Sequence, residues 1–123
     1  MIGYVTLGTN DLDRAGKFYD ELLKEFGAKR FMEFGGFIAW GVSQDKPMLS
    51  VIKPFDKNPA QRGNGNMVAL LAKNREHVDA IYNKAIELGG TDEGKPGPRG
   101  EGGFYAGYFR DLDGNKLNAF FMG

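Results

Sequence analysis

The chain has no cysteine among its 123 residues and a single histidine. Without cysteine there is no disulfide framework, no thiolate metal site and no cysteine nucleophile. One histidine, His77, cannot build a cluster of imidazole ligands. Charge of neither sign prevails, since 16 basic residues balance 16 acidic ones. A neutral chain with no basic run argues against a nucleic-acid surface. No apolar stretch approaches the roughly 20 residues of a membrane span. The opening "MIGYVTLGTND" enters a strand-like pattern with no basic leader before an apolar core, so no secretory signal is expected. These absences lead to the expectation of a cytoplasmic protein with neither nucleic acid nor membrane as a partner.

What is present is punctuated hydrophobic periodicity. In "IGYVTLGT", Gly3, Val5 and Leu7 share one face, and Ile2, Tyr4 and Thr6 the other. Leu12, Ala15, Phe18, Tyr19, Leu22, Leu23 and Phe26 then recur at three- and four-residue steps, the stripe of an amphipathic helix. Asn10 or Asp11 can cap its start and Gly27 can end it. Three short strands, "KRFMEF", "FIAWGV" and "MLSVIK", follow between turn residues. "PFDKNPAQRGNGN" reads as a linker. Beyond it come a strand, "MVALLA", and a second helix carrying Val78, Ile81, Tyr82, Ala85 and Leu88, capped by Asn74 and closed by Gly89-Gly90. A Gly-rich stretch, "EGKPGPRGEGG", lacks nucleotide-loop spacing and is expected to be a mobile rim loop. The last segment, "YFRDLDGNKLNAFF", reads as strand, turn, strand. Asp113-Gly114-Asn115 there favours the positive backbone angles of a tight hairpin.

The element order is strand, helix, three strands, and then the same again. Sliding the chain so that Tyr4 meets Met67 also lays Leu7 on Leu70, Phe18 on Ile81, Tyr19 on Tyr82 and Gly27 on Gly90. This predicts two copies of one βαβββ module.

"YVTLGTNDLDRAGKFYDELL" and "YFRDLDGNKLNAF" look like the hallmark segments of the vicinal oxygen chelate superfamily, which holds glyoxalases, bleomycin-resistance proteins, fosfomycin-resistance enzymes and extradiol dioxygenases. The resemblance covers essentially the whole chain. It implies an α+β fold of two tandem βαβββ modules, curled into an open mixed-sheet barrel with helices outside. Residues 1–123 would form one glyoxalase-like domain, with module one over roughly 1–57, a linker over 58–65 and module two over 66–123. It also implies a homodimer and a ligand on the inner strand faces. Because each helix must cover Val5 and Leu7 or Val68 and Leu70, the opposite strand faces are left to line that interior.

In the family's metal enzymes, ligands sit on the first and last strand of each module. Carried over, those positions are Tyr4, Ser50, Met67 and Asn118. None suits a hard divalent ion. Met is a soft donor, neutral Ser and Asn supply no charge, and Tyr titrates at about 10. Glu33, Asp45 and Asp56 could in principle make a carboxylate site, but they fall at strand ends and loops, and His77 lies off its helix stripe. No metal site and no cofactor are therefore expected, with a divalent metal not excluded. The expected lining is Tyr4, Thr6, Ser50, Met67, Asn118 and Phe120. Trp40 and either Tyr105 or Tyr108 join it, the two tyrosines falling on opposite faces of one strand. An aromatic wall with a few neutral hydrogen-bonding groups fits a small planar organic molecule. The alternatives are a lyase, isomerase or dioxygenase with a non-standard metal site or a tyrosine base, and a ligand-free dimeric module.

Overall fold

The computed structural model describes residues 1–123. The chain divides into two compact units, Met1–Gln61 and Arg62–Gly123, with the boundary inside the segment read as linker. The first unit contains β1 (Tyr4–Gly8), α1 (Leu12–Leu22) with a 3-10 turn to Phe26, β2 (Lys29–Phe34), β3 (Phe37–Gly41) and β4 (Met48–Ile52). The second contains β5 (Val68–Leu71), α2 (Arg75–Glu87), β6 (Thr91–Pro98), β7 (Phe104–Arg110) and β8 (Lys116–Met122). The sheets have the same topology, β1-β4-β3-β2 and β5-β8-β7-β6. In each, the first strand pairs parallel with the last and the other pairs are antiparallel. The repeat seen faintly in sequence is thus explicit in strand order. No helix is long and apolar enough to cross a membrane.

Both helices start where polar caps place them. The Asp11 carboxylate accepts from the Arg14 amide at 3.0 Å, and the Asn74 side chain accepts from the His77 amide at 2.7 Å. Gly27 stops the first helical segment in the left-handed conformation, φ 71°. Each helix buries its stripe on one face of its own sheet. In the first unit Phe18, Tyr19 and Leu22 are buried together with Ile38, Trp40, Leu49 and Val51. In the second, Val78, Ile81, Tyr82 and Ala85 are buried with Phe109, Leu117 and Ala119. Burying each large side chain contributes about 1.5–3 kcal/mol, so these two layers dominate stability.

One polar group fixes the first layer. Asp20 of α1 accepts two hydrogen bonds from Arg30, at 2.8 and 2.9 Å, and one from the Trp40 indole at 2.8 Å. Partial burial alone would raise its pKa, but the Arg30 and Trp40 hydrogen bonds outweigh that and hold it below the usual carboxylate value. Gly16 makes room for the arrangement, since a Cβ there would stand 2.7 Å from an Arg30 nitrogen.

Two expectations need correction. The Gly-rich stretch is not a loop for most of its length: Thr91–Pro98 form β6, paired antiparallel with β7 through two register shifts. β6 lies at the sheet edge, where Pro96 and Pro98 cost no interior ladder bond. The β7–β8 connection is also not a tight hairpin with positive backbone angles across Asp113-Gly114-Asn115. Only Gly114 has a positive φ, 89°. The connection runs over 111–115 and closes around Asp111, which is buried. Its carboxylate accepts from the Asp113 amide, the Asn115 amide and the Asn115 side chain, each at 2.9 Å. The Asp111 amide donates back to the Asn115 carbonyl at 2.9 Å. Removing that acceptor strands buried donors. Asp111→Ala should therefore lower stability by about 2–3 kcal/mol, read as a fall in the urea midpoint at unchanged m-value.

Candidate functional site

Each sheet has one face against its helix and one face turned away, and the pairing register assigns the paired strand residues to a side. In the first unit Tyr4 stands opposite Met48, Thr6 opposite Ser50, Ala39 opposite Ser50, and Phe37 opposite Ile52. Met32 and Phe34 continue this set on β2. These residues form the face turned away from α1. A recess of about 550 Å3 lies on it, walled by Tyr4, Met32, Phe34, Phe37 and Met48, with Thr6 among the lining residues. Its rings are grouped: Phe34 and Phe37 have centroids 5.4 Å apart, and Tyr4 meets Phe37 edge-on at 6.4 Å. Tyr4 and Phe34 remain 63% and 64% exposed, so their faces are available to a bound molecule. A larger recess, about 790 Å3, is walled by loops around Gly35-Gly36 and Lys53–Pro59 and takes in none of the expected residues.

Ser50 is fully buried, and its hydroxyl donates to the Val5 carbonyl at 2.8 Å. Its proton being committed, Thr6 must be the donor in the 2.9 Å bond between the two hydroxyls. The pair is therefore spent as donors, and only lone pairs remain to face a ligand.

In the second unit Asn118 stands opposite Ala69 on β5 and Tyr108 on β7, and Phe120 opposite Ala106. By register Asn118 is the counterpart of Ser50, standing opposite Ala69 as Ser50 stands opposite Thr6, the two first-strand positions that the repeat lays on each other. Asn118 is 2% exposed, and its side-chain oxygen is buried without a hydrogen-bond partner. Such an orphaned acceptor costs about 1–3 kcal/mol. Two cations approach the Tyr108 ring, the Arg99 guanidinium at 5.4 Å and the Lys116 ammonium at 5.5 Å from its centre. Phe120 stacks on Phe104 with centroids 5.7 Å apart. Met67 precedes β5 and is exposed.

The expected set is thus divided. Tyr4, Thr6 and Ser50 come together on the face turned away from α1, and Tyr108, Asn118 and Phe120 on the face turned away from α2. Trp40 and Tyr105 do not join them. Trp40 is 1% exposed, stands 5.6 Å from the Tyr19 ring, and is held on the helix side by Asp20. Tyr105 donates to Asp79 of α2 at 2.7 Å and lies under Arg75. Sequence reasoning missed Phe34, Phe37, Met32 and Met48. The parity that sets Phe37 and Ala39 against Trp40 was the available signal, but nothing local says which of the two sets meets the helix.

The donor chemistry at the metal-enzyme positions is unchanged by the geometry. Tyr4, Ser50, Met67 and Asn118 present no carboxylate and no imidazole, so they do not fit a hard divalent ion. No group of three or more His, Asp or Glu side chains comes together. Glu33 pairs with Arg30 at 3.1 Å, Asp45 accepts from Ser43, and Asp56 accepts from the Asn58 amide. His77 uses its Nδ1 to accept from the Lys73 amide at 3.1 Å. The tyrosine-base alternative fails at Tyr105, whose hydrogen bond to Asp79, together with burial, raises its pKa. A base needs the opposite shift.

Two mixed four-stranded sheets, each with the first strand parallel to the last and one helix on one face, define a glyoxalase-like α+β fold. The sequence also matches the Glyoxalase/Bleomycin resistance protein/Dioxygenase superfamily model over residues 1–119, and the chain belongs to that superfamily. A glyoxalase/bleomycin resistance protein from Albidiferax ferrireducens superposes with a TM-score of 0.90 at 32% identity, covering 100% of this chain and 99% of that one. Lactoylglutathione lyase from Agrobacterium tumefaciens shares the fold at 21% identity, TM-score 0.72, over 98% of this chain and 92% of its own. The fosfomycin resistance protein FosX of Listeria monocytogenes does so at 18% identity, TM-score 0.75, over 100% and 93%. No curated protein matches the chain.

Tyr82 gives a check on the α2 layer. Burial and its 2.6 Å hydrogen bond to Asp92 push its pKa up to about 12. A folded-state pKa above the unfolded value means that the stabilisation is complete below pH of about 10 and is lost as pH rises towards 12. Alkaline unfolding curves should show that decline, and Tyr82→Phe should flatten it.

Proposed function

We propose that the chain is a metal-free member of the superfamily that binds a small, planar organic molecule on the strand faces turned away from its helices. The observation that carries this is the aromatic recess of the first unit, where Tyr4, Phe34 and Phe37 offer three grouped rings, those of Tyr4 and Phe34 largely uncovered. Stacked or edge-on rings contribute about 0.5–1.5 kcal/mol beyond area burial, and flanking Met32 and Met48 adapt to irregular shapes. Polar contacts are few and neutral, which suits orientation of a ligand rather than proton transfer. The donor set at the metal-enzyme positions supports a binding role over metal-assisted chemistry.

A homodimer belongs to the same proposal. Met67, Leu71 and Met122 are exposed apolar residues on the second unit, 42%, 66% and 59% accessible, and surface of this kind marks places to be covered. The balanced charge and the lack of cysteine suit a cytoplasmic site of action.

Native mass spectrometry of untagged, chelator-free protein tests the three parts together. The expected spectrum shows a dimer, a retained or added aromatic compound, and no stoichiometric metal. One divalent ion per chain, lost on Asn118→Ala, would show that the site has been wrongly assigned. For the ligand itself, Phe37→Ala should weaken binding of any retained aromatic at least fivefold. Equal affinity in wild type and variant would remove the aromatic recess as the binding surface.

A further inference from the structure

The hairpin end of the second unit carries a separate feature. A recess of about 410 Å3 is lined by Arg62, Asn64, Asn66, Met67, Arg110 and Lys116, with Gly63 and Gly65 between them. Three cations therefore share one small opening, and only one carboxylate answers them. Glu93 approaches Arg110 at 3.3 Å. Arg62 makes no ion pair, and Lys116 meets only the face of Tyr108. Two positive charges that line one recess are left without a carboxylate partner, an arrangement that an incoming anion would relieve.

The hydrogen-bond inventory points the same way. Arg110 donates through one terminal nitrogen to the Gly114 carbonyl at 2.9 Å, while its Nε is buried without a partner. The amides of Gly63 through Asn66 enter none of the protein's own hydrogen bonds. Gly63 and Gly65 have φ of 64° and 97°, a backbone of the kind that gathers successive N–H groups around an anion. The side chain of Arg62 also packs beside Gly114, where a Cβ would stand 3.5 Å from it, so the loop is seated on the hairpin. Donors and positive charge are thus concentrated at one place, with Glu93 the one carboxylate paired to them.

We propose that this recess is an oxyanion-binding site, taking a carboxylate or phosphate group through Arg62, Lys116 and the amides of the Gly63–Gly65 loop, with Arg110 as the anchored third cation. The site stands on the second unit alone and does not depend on the aromatic recess. Lys116 leaves the Tyr108 ring to meet the anion, and binding weakens as salt rises because the partners are solvent-facing.

Amide-resolved NMR titration of the whole chain distinguishes the sources. Inorganic phosphate and acetate are added separately, against sodium chloride at matched ionic strength. Saturable shifts at Gly63, Gly65 and Lys116 with phosphate mark a phosphate site, and stronger shifts with acetate mark a carboxylate site. Arg62→Gln combined with Lys116→Gln should weaken the better anion at least tenfold. Glu93→Gln should tighten it about threefold by removing the competing carboxylate, a gain that loss of folding cannot imitate. Identical shifts with chloride, no shift at these residues with either anion, or undiminished binding in the double variant would each overturn the proposal.

Discussion

A strand presents alternate residues to opposite faces, and a helix docked on one face decides the role of every residue on the other. Six of the eight strands here keep that alternation unbroken, β2 and β6 carrying register shifts, and two acidic anchors, Asp20 half-buried and Asp111 buried, hold it in place. Asp20 ties α1 to β2 and β3 through Arg30 and Trp40, which fixes the side on which Trp40 lies. Asp111 closes the β7–β8 connection and so fixes the pairing of Tyr108 with Asn118. Neither carboxylate touches the recesses, yet the contents of both outward faces follow from them.

Much of this was legible from residues alone. Both helices, the Asn74 cap, the Gly27 stop and the strand parities could be read locally because each depends on neighbours within a turn or two. The glyoxalase-like arrangement followed from the duplicated element order. What could not be read was decided by distant partners. Trp40 is claimed by an acid 20 residues away and Tyr105 by one 26 residues away. Both are amphipathic rings whose polar tip found a partner on the helix side, and parity alone offered no preference. The Gly-rich stretch was misjudged for a related reason: its own propensity is poor, and β7 supplies the pairing that makes it a strand.

The groups expected to meet a ligand on the outward faces are neutral hydrogen-bonding groups and rings. Ser50 and Thr6 have used their protons on each other and on the backbone, and Asn118 holds an acceptor with nothing to accept from. Positive groups gather at the hairpin end of the second unit, where Lys116 also meets the Tyr108 ring.

The broken pairing of β6 has a further consequence. It lies at one border of its sheet, as β2 does in the other, and both depart from regular register. With two prolines and a twisted, glycine-bearing backbone, β6 offers a foreign chain no continuous row of donors and acceptors to copy. The same residues that look like weak strand formers thus protect a concentrated solution of this protein from edge-to-edge polymerisation along that border.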